Sequence, residues 1–319
     1  MKKISSLIVA FTIIFLSMTS VGAKNKDLIL VDDDGAECPN AIYTTIEEAV
    51  NSATDGDVIH VCTGEYDGVE LDKSVEIRGN GHAVIVGGPS HSSGLSQGFR
   101  LVTGSDGSSL NHLYFDEVDL AIMNGGAVDD IEVNHNYFYS PIQAVSNWMG
   151  SGWNIHHNDI ENLRTRNGGG IGIMLADFMG GVVENNNVSH NNIFGTLTQA
   201  ASEQGGYNGS GIVLYADFRW NREGTDKIKN NTVVHNKVSI EDQASSVNMV
   251  AFELTEARDL PIGWEPLIFD NTIKFNDFLG TDIEFAFSPY ELNLVNDYSR
   301  NKGTTSGHTR GVNNTPFGP

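Results

Sequence analysis

The chain has 319 residues, with 41 acidic and 19 basic side chains and a formal net charge of −22. That balance argues against a nucleic-acid partner, because phosphate neutralisation needs clustered Lys and Arg. It also makes bare polyanions poor ligands unless a divalent cation bridges the carboxylates.

The elements follow in chain order. Residues 1–23 read as a secretion signal, with Lys2 and Lys3, an apolar run from Leu7 to Leu16, and Val21-Gly22-Ala23 as a small-residue cleavage site. That run is too short to favour a membrane span, and no later segment is apolar enough to be one. The mature protein is expected to be secreted or periplasmic, where Cys38 and Cys62, the only cysteines, should be oxidised to one another. Their wide spacing, without a CxxC pair, argues against a redox or metal motif. Between them Thr45 reads as the N-cap of a short helix, with Glu48 three residues on and Ile46, Ala49 and Val50 as its apolar face. Residues 24–56 are read as a cap that covers the unpaired strand edges of whatever follows.

From 57 to 288 a six-residue phrase returns six times: LNHLYF (Leu110 to Phe115), VNHNYF (Val133 to Phe138), IHHNDI (Ile155 to Ile160), VSHNNI (Val188 to Ile193), VVHNKV (Val233 to Val238) and IKFNDF (Ile273 to Phe278). The steps of 23, 22, 33, 45 and 40 residues are those of a solenoid with insertions. Apolar residues alternate with period two inside short stretches, which is strand chemistry. In the last three copies a second Asn-centred phrase sits five residues upstream. Asn, which tolerates the left-handed region and bonds its own backbone, is expected to supply each corner. Three short parallel strands per turn make an all-β parallel β-helix. Residues 289–319 read as a C-terminal cap and flexible tail.

The repeats, from Val58 to Phe287, resemble those of the parallel β-helix family in the pectin-lyase-like superfamily. The segment from Tyr43 to Tyr66 is similar to the entry segment that often opens such secreted proteins. The resemblance implies a single-stranded, right-handed coil, the hand that the crossover rule also favours. It leaves activity open, because the superfamily holds lyases, hydrolases, epimerases, binding modules and inert scaffolds.

Insertions flank the GGIGIML-type strands of the middle turns. Equivalent positions of successive turns stack about 4.8 Å apart, so each set of insertions is expected to form a wall and the strands between them the floor of a lateral groove. Arg164 and Arg166 fall on one wall, and Arg219, Trp220, Arg222, Glu256, Arg258 and Trp264 on the other. Alternation turns Ile171, Ile173, Ile212, Leu214, Val250 and Phe252 inward and leaves Met174, Tyr215 and Glu253 facing out. Aromatic platforms, carboxylates and arginines in one groove suit an extended polysaccharide, with Tyr215, Trp220, Arg222, Glu256, Arg258 and Trp264 as substrate contacts.

Asp177 and Asp217 close matching Ala-Asp-Phe triplets and are expected about 5 Å apart on adjacent turns, a separation that suits a retaining glycosidase or a shared Ca²⁺. With Glu253 they are the candidate acids and bases. Arg164, Arg166, Arg219 and Arg222 are the candidate lyase bases that the resemblance implies, Arg164 and Arg219 foremost. The plainer reading makes each Asp a turn residue bonding backbone amides and each Arg a solvated loop side chain, in a non-catalytic surface or scaffold protein. His112, His135, His157, His190 and His235 share one repeat position and should form a ladder. Imidazoles are good copper ligands, and a member of the superfamily serves copper-centre maturation, so a periplasmic copper-binding protein is a third reading. Nothing in the sequence addresses oligomeric state.

Overall fold

The computed structural model describes residues 26–166, 169–199, 209–217, 227–243, 249–257, 265–288, 290–303 and 318. Short strands rich in Val, Ile and Phe stack in parallel register into three long faces, and the chain is a parallel β-helix. The first face runs through Val58–Val61, Glu132–Asn134, Asn154–His156, Asn187–Ser189, Thr232–Val234 and Thr272–Lys274. The second holds Tyr137–Tyr139, Asp159–Thr165, Asn192–Gln199 and Lys237–Asp242. In the early turns Glu76–Gly87 and Ser109–Asp116 are long strands that bend and serve both faces. The third face comprises Gln97–Leu101, Leu120–Asn124, Gln143–Trp148, Ile171–Asp177, Gly209–Ala216, Met249–Glu256 and Ile283–Ser288. The upstream phrases of the last copies form a small extra sheet of Val182–Glu184, Lys227–Lys229 and Ile268–Phe269.

Each repeated phrase straddles a corner. Its first apolar residue stacks inward on the first face (Leu110, Val133, Ile155, Val188, Val233, Ile273), and its last stacks inward on the second (Phe115, Phe138, Ile160, Ile193, Val238). The third face contributes Phe99, Ile122, Val145, Ile173, Ile212, Phe252 and Phe285 to the same core. One continuous apolar column therefore runs the length of the coil, and burial of these side chains supplies its main driving force.

The corner residue is not the one expected. Left-handed backbone falls on the residue before the repeated Asn: His112, His135, His157, His190, His235 and Phe275, with φ between 53° and 58°. At the upstream corners Asn and Asp take this role, as Asp130, Asn185, Asn230 and Asp270. The repeated Asn does other work. Asn136, Asn158, Asn191, Asn236 and Asn276 are buried. Each accepts the backbone N–H and side-chain Nδ2 of its counterpart one turn earlier, at 2.9–3.1 Å, apart from Asn136, whose earlier counterpart Leu113 offers only its N–H. Each also donates Nδ2 to an earlier carbonyl, that of Leu110, Val133, Ile155, Val188 or Val233. A second ladder links Asn186, Asn231, Asn271 and Asn296 in the same way.

Both ladders outrun the expected limit at 288. Asn296 and Asn301 accept from Asn271 and Asn276, and Asp297 and Lys302 bridge to Thr272 and Asp277. The coil thus continues into the segment read as cap and tail. At the other end the helix Ile46–Ser52 buries Ile46, Ala49 and Val50, Thr45 accepts from the Glu48 N–H, and Cys38 is bonded to Cys62. Among the described residues no helix is long and apolar enough to cross a membrane.

Replacing Asn191 with Leu strands the Asn158 N–H and the Ile155 carbonyl inside the coil. Each buried group left unpaired costs about 1–3 kcal/mol, so Asn191→Leu and Asn236→Leu should each lower unfolding stability by at least about 2 kcal/mol in denaturant titrations. Midpoints equal to that of the parent would remove the ladder from the account of stability.

Candidate functional site

The first face presents short polar side chains to solvent, among them Ser109, Asn154, Asn187 and Thr232, while the second carries larger ones such as the stacked Tyr114 and Tyr137. The third face differs. Its outward columns, Gln97-Leu120-Gln143-Ile171-Ser210-Val250 and Met123-Ser146-Met174-Val213-Glu253, are buried. Leu95, Leu120, Met123, Ile142, Trp148, Ile171, Met174, Ala176, Val213, Tyr215 and Ala257 form a second apolar cluster outside the coil. Met174, Tyr215 and Glu253 do face away from the core, but they are covered rather than exposed, at 0%, 3% and 2% accessibility. Alternation also fails at the strand start. The small column between Ile171 and Ile173, which includes Gly172 and Gly211, turns inward, with a Cβ at Gly172 meeting Ile193 Cδ1 at 2.9 Å. Ile171 and the aligned Val250 therefore belong to the outward side.

Asp177 and Asp217 do not face one another. Ile173 pairs with Ile212, but Asp177 comes four positions after Ile173 and Asp217 five after Ile212, so Asp177 pairs with Ala216. Tyr215 is the additional residue. Its hydroxyl donates to Asp217 Oδ2 at 2.8 Å. Asp177 sits at the strand end beneath the turn 178–181, accepting the Met179 N–H on Oδ1 at 3.1 Å, while Oδ2 is buried without a hydrogen-bond partner. Burial pushes the Asp177 carboxyl above the usual range, against the opposing pull of the backbone amides of Met179, Gly181, Phe178 and Gly180.

The other expected residues separate. Glu253 accepts hydroxyl protons from Ser210 and Thr255. Glu256 is buried and ties down the Leu267 and Ile268 amides, at 2.6 and 3.1 Å, so it is a loop anchor in the free protein. Arg164 lies on the second face and reaches back over two turns to the carbonyls of Ser140 and Glu117 and, at 3.0 Å, to Asp119. Its guanidinium is engaged away from Asp177. Arg219, Trp220, Arg222, Arg258 and Trp264 lie outside the described residues.

One residue went unread in the sequence. Trp148 stacks in register with Ala176 and Tyr215, its ring edge-on to Phe178 at 5.1 Å and to Tyr215 at 6.3 Å. Its indole N–H is buried and unpartnered, whereas that of Trp153 donates to the Val128 carbonyl at 2.7 Å. A buried Trp usually finds a partner for this group. The spacing of Trp148 within its repeat carried the signal, because it places the ring outward beside the Asp177 turn.

The histidines form the ladder expected of them. Successive rings lie 4.9–5.1 Å apart and close to parallel, with Phe275 continuing the stack and Arg300 over its face. Parallel stacking keeps the in-plane lone pairs of neighbours side by side, so they do not converge on a common point. Burial and the neighbouring imidazoles depress the His135 and His190 pKa values, with Glu132 opposing at His135. Among the described residues, groups of three or more metal-type ligands occur only at the N-terminal cap, as Cys38, His60 and Cys62, whose sulfurs are disulfide-bonded, and as Asp32, Asp34 and Glu37.

No family model and no curated protein matches the chain. Two solved structures are similar in part. A pectin methylesterase in complex with a hexasaccharide is 13% identical over 82% of this chain and 93% of its own, with a TM-score of 0.30. A tailspike protein of Acinetobacter baumannii bacteriophage Fri1, a capsular polysaccharide depolymerase, is 10% identical over 89% of this chain and 63% of its own, with a TM-score of 0.28.

Two pH effects follow from these shifts. Because His135 and His190 titrate below their unfolded value of about 6.5, stability is full above that pH and falls as pH drops below it, when only the unfolded chain takes up protons. Melting scans between pH 8 and 5 should show this fall, and His135→Asn with His190→Asn should flatten it. Asp177 has the opposite sign. Its raised folded pKa penalises the folded state above that pKa, so Asp177→Asn should raise the melting temperature at pH 7, with the gain fading as pH falls towards 4. A loss of stability at pH 7 would mean that the ionised carboxylate is held more tightly than its burial implies.

Proposed function

We propose that this chain is an exported β-helix protein that binds an extended polysaccharide along the outer flank of its third face. One observation carries the reading: the third face is built with a second buried layer in which Trp148 and Asp177 keep unpartnered polar atoms. A simple spacer has no need of such a layer, and its orphaned N–H and carboxyl oxygen are groups that sugar hydroxyls would satisfy once the layer over them opens. The rim above them carries half-buried Phe178 and exposed Met179. In sequence the segments bearing Arg219, Trp220, Arg222, Arg258 and Trp264 leave the same ends of the neighbouring strands.

Cleavage is the finer form of the proposal. It gives the general-acid role to Asp177, whose raised pKa suits proton donation to a leaving oxygen. Asp217, held by Tyr215, is the companion carboxylate, and Glu253, aligned with Val213, is a further acid on the same face. A lyase step would need a free basic side chain. Arg164 is committed to backbone carbonyls and Asp119, so the role falls to Arg166, Arg219 or Arg222. Ca²⁺ is the cation that would let an acidic glycan approach so acidic a chain. The scaffold reading has support of its own in the uninterrupted Asn ladders and the polar first face.

A glycan array probed with the mature protein, with and without Ca²⁺, followed by product analysis of each hit, tests both forms. Binding of a specific glycan is expected, weakened about tenfold or more by Trp220→Ala and by Asp177→Asn with Asp217→Asn, with the circular dichroism unchanged. Retention of no glycan, or an affinity indifferent to these substitutions, would leave the scaffold reading in possession.

A further inference from the structure

Within the histidine ladder the ring nitrogens run parallel, but beside it two of them meet. His156 lies on the first face next to His157 of the ladder, and the two rings stand at 88° with Nδ1 of one 2.9 Å from Nδ1 of the other. On its far side His156 Nε2 is 2.8 Å from Glu132 Oε1. The same Glu132 oxygen accepts from Asn134 Nδ2 at 3.0 Å, which fixes the carboxylate in place. A carboxylate acceptor places the His156 proton on Nε2 and leaves the Nδ1 lone pair aimed at His157. His135, edge-on to His156 at 6.0 Å, has its own Nδ1 occupied by Asn134 Oδ1 at 2.8 Å.

From this convergence we propose that His156 and His157 form a bidentate site for a tetragonal transition-metal ion, Cu²⁺ above all, oriented by Glu132. The argument is geometric. With metal–nitrogen bonds of about 2.05 Å, two nitrogens 2.9 Å apart subtend about 90° at the ion. That is the cis angle of a square-planar or octahedral site, while a tetrahedral ion would hold the nitrogens about 3.3 Å apart. Tetragonal N-ligand geometry and the Irving–Williams order both select Cu²⁺ over Zn²⁺. The Glu132–His156 contact is the carboxylate–histidine arrangement that orients a ligand ring and raises its basicity.

The proton balance is simple. Without metal, His157 donates its Nδ1 proton to the His156 lone pair. With metal, His157, an exposed residue, carries its proton on Nε2, and both Nδ1 lone pairs face the ion. Water completes the coordination. The site is separate from the third flank, so it stands or falls independently of carbohydrate binding.

The test is titration of the mature protein with Cu²⁺, and with Zn²⁺ as comparator, by calorimetry and by electron paramagnetic resonance. One equivalent of Cu²⁺ should bind with an axial spectrum showing nitrogen hyperfine coupling, and Zn²⁺ should bind at least tenfold more weakly. His156→Gln and His157→Asn, the latter chosen because Asn tolerates the left-handed backbone at φ 54°, should each lower the affinity at least tenfold. Glu132→Gln should lower it about 10- to 100-fold without removing a ligand. His190→Asn, which breaks the ladder but not the chelate, should leave it unchanged. The proposal is overturned if the wild type shows no saturable uptake, if the His156→Gln, His157→Asn double variant retains it, or if His190→Asn loses as much. Should a His variant misfold, the wild-type spectrum and Glu132→Gln still decide the question.

Discussion

The side-chain amide of asparagine is the part on which this coil depends. A solenoid must turn its backbone sharply several times per turn, and every turn leaves peptide N–H and C=O groups pointing into the interior, where leaving them unpaired is expensive. Asn offers one acceptor with two lone pairs and two donor protons. Here Asn158 uses them all: its oxygen takes the Asn136 N–H and Nδ2, and its nitrogen reaches the Val133 carbonyl and the next Asn in the stack. A shorter or apolar side chain at this position satisfies none of these groups. Each ladder step links one turn to the next, so the corners hold the turns in register as the apolar columns stack.

This division of labour explains both what could be read from the sequence and what could not. The recurring apolar-x-His-Asn-x-apolar phrase shows the fold because the two apolar ends belong to different faces and a corner must lie between them. The same phrase hides which residue bends. A helix or strand pattern reports side-chain direction, while left-handed backbone leaves no period of its own, so the conformational role went to Asn when it belongs to His112, His135 and their counterparts. The last turn escaped notice for a related reason. Asn296 and Asn301 keep the five-residue spacing of the double corner, but Asp297, Ser299 and Lys302 stand where earlier turns place more recognisable strands. With most of the apolar half of the signal gone, the Asn hydrogen bonds carry the coil onward, helped by Leu292 in the core and Tyr298 against Phe285 and Phe287.

The candidate site was legible in orientation and illegible in burial. Period two correctly sends Met174, Tyr215 and Glu253 away from the core. It cannot say whether water or more protein lies beyond them. Nor could matching Ala-Asp-Phe triplets reveal that Tyr215 displaces one Asp from register with the other, because register is decided by the large inward residues Ile173 and Ile212 and not by the polar ends. Burial then separates carboxyls that look equivalent in sequence. Asp217 and Glu253 receive hydroxyl protons, whereas one oxygen of Asp177 receives nothing and its pKa rises. A chain with so large an excess of acid has many carboxylates in water. It is the few removed from water that can report on chemistry, since desolvation is what separates a proton donor from a surface charge.

The histidine column can be understood in the same terms without appeal to a ligand. A corner position with φ near 55° excludes β-branched side chains and favours Gly, Asn, Asp and His. Gly would add flexibility to the unfolded chain at every turn, and a column of Asp would stack like charges. An imidazole is neutral over most of the pH range, tolerates the backbone, and stacks on its neighbour at about the interstrand spacing, as Phe275 does when the polar atoms are dispensed with altogether. The column is thus what repeated selection for one strained corner produces. His156 answers to no such demand. It lies on a strand with ordinary backbone, where Asn134 and Ser189 stand in the turns on either side. The backbone does not require an imidazole there, so the chemistry of its two nitrogens, one held by Glu132 and one turned towards His157, has to be explained by what those nitrogens bind.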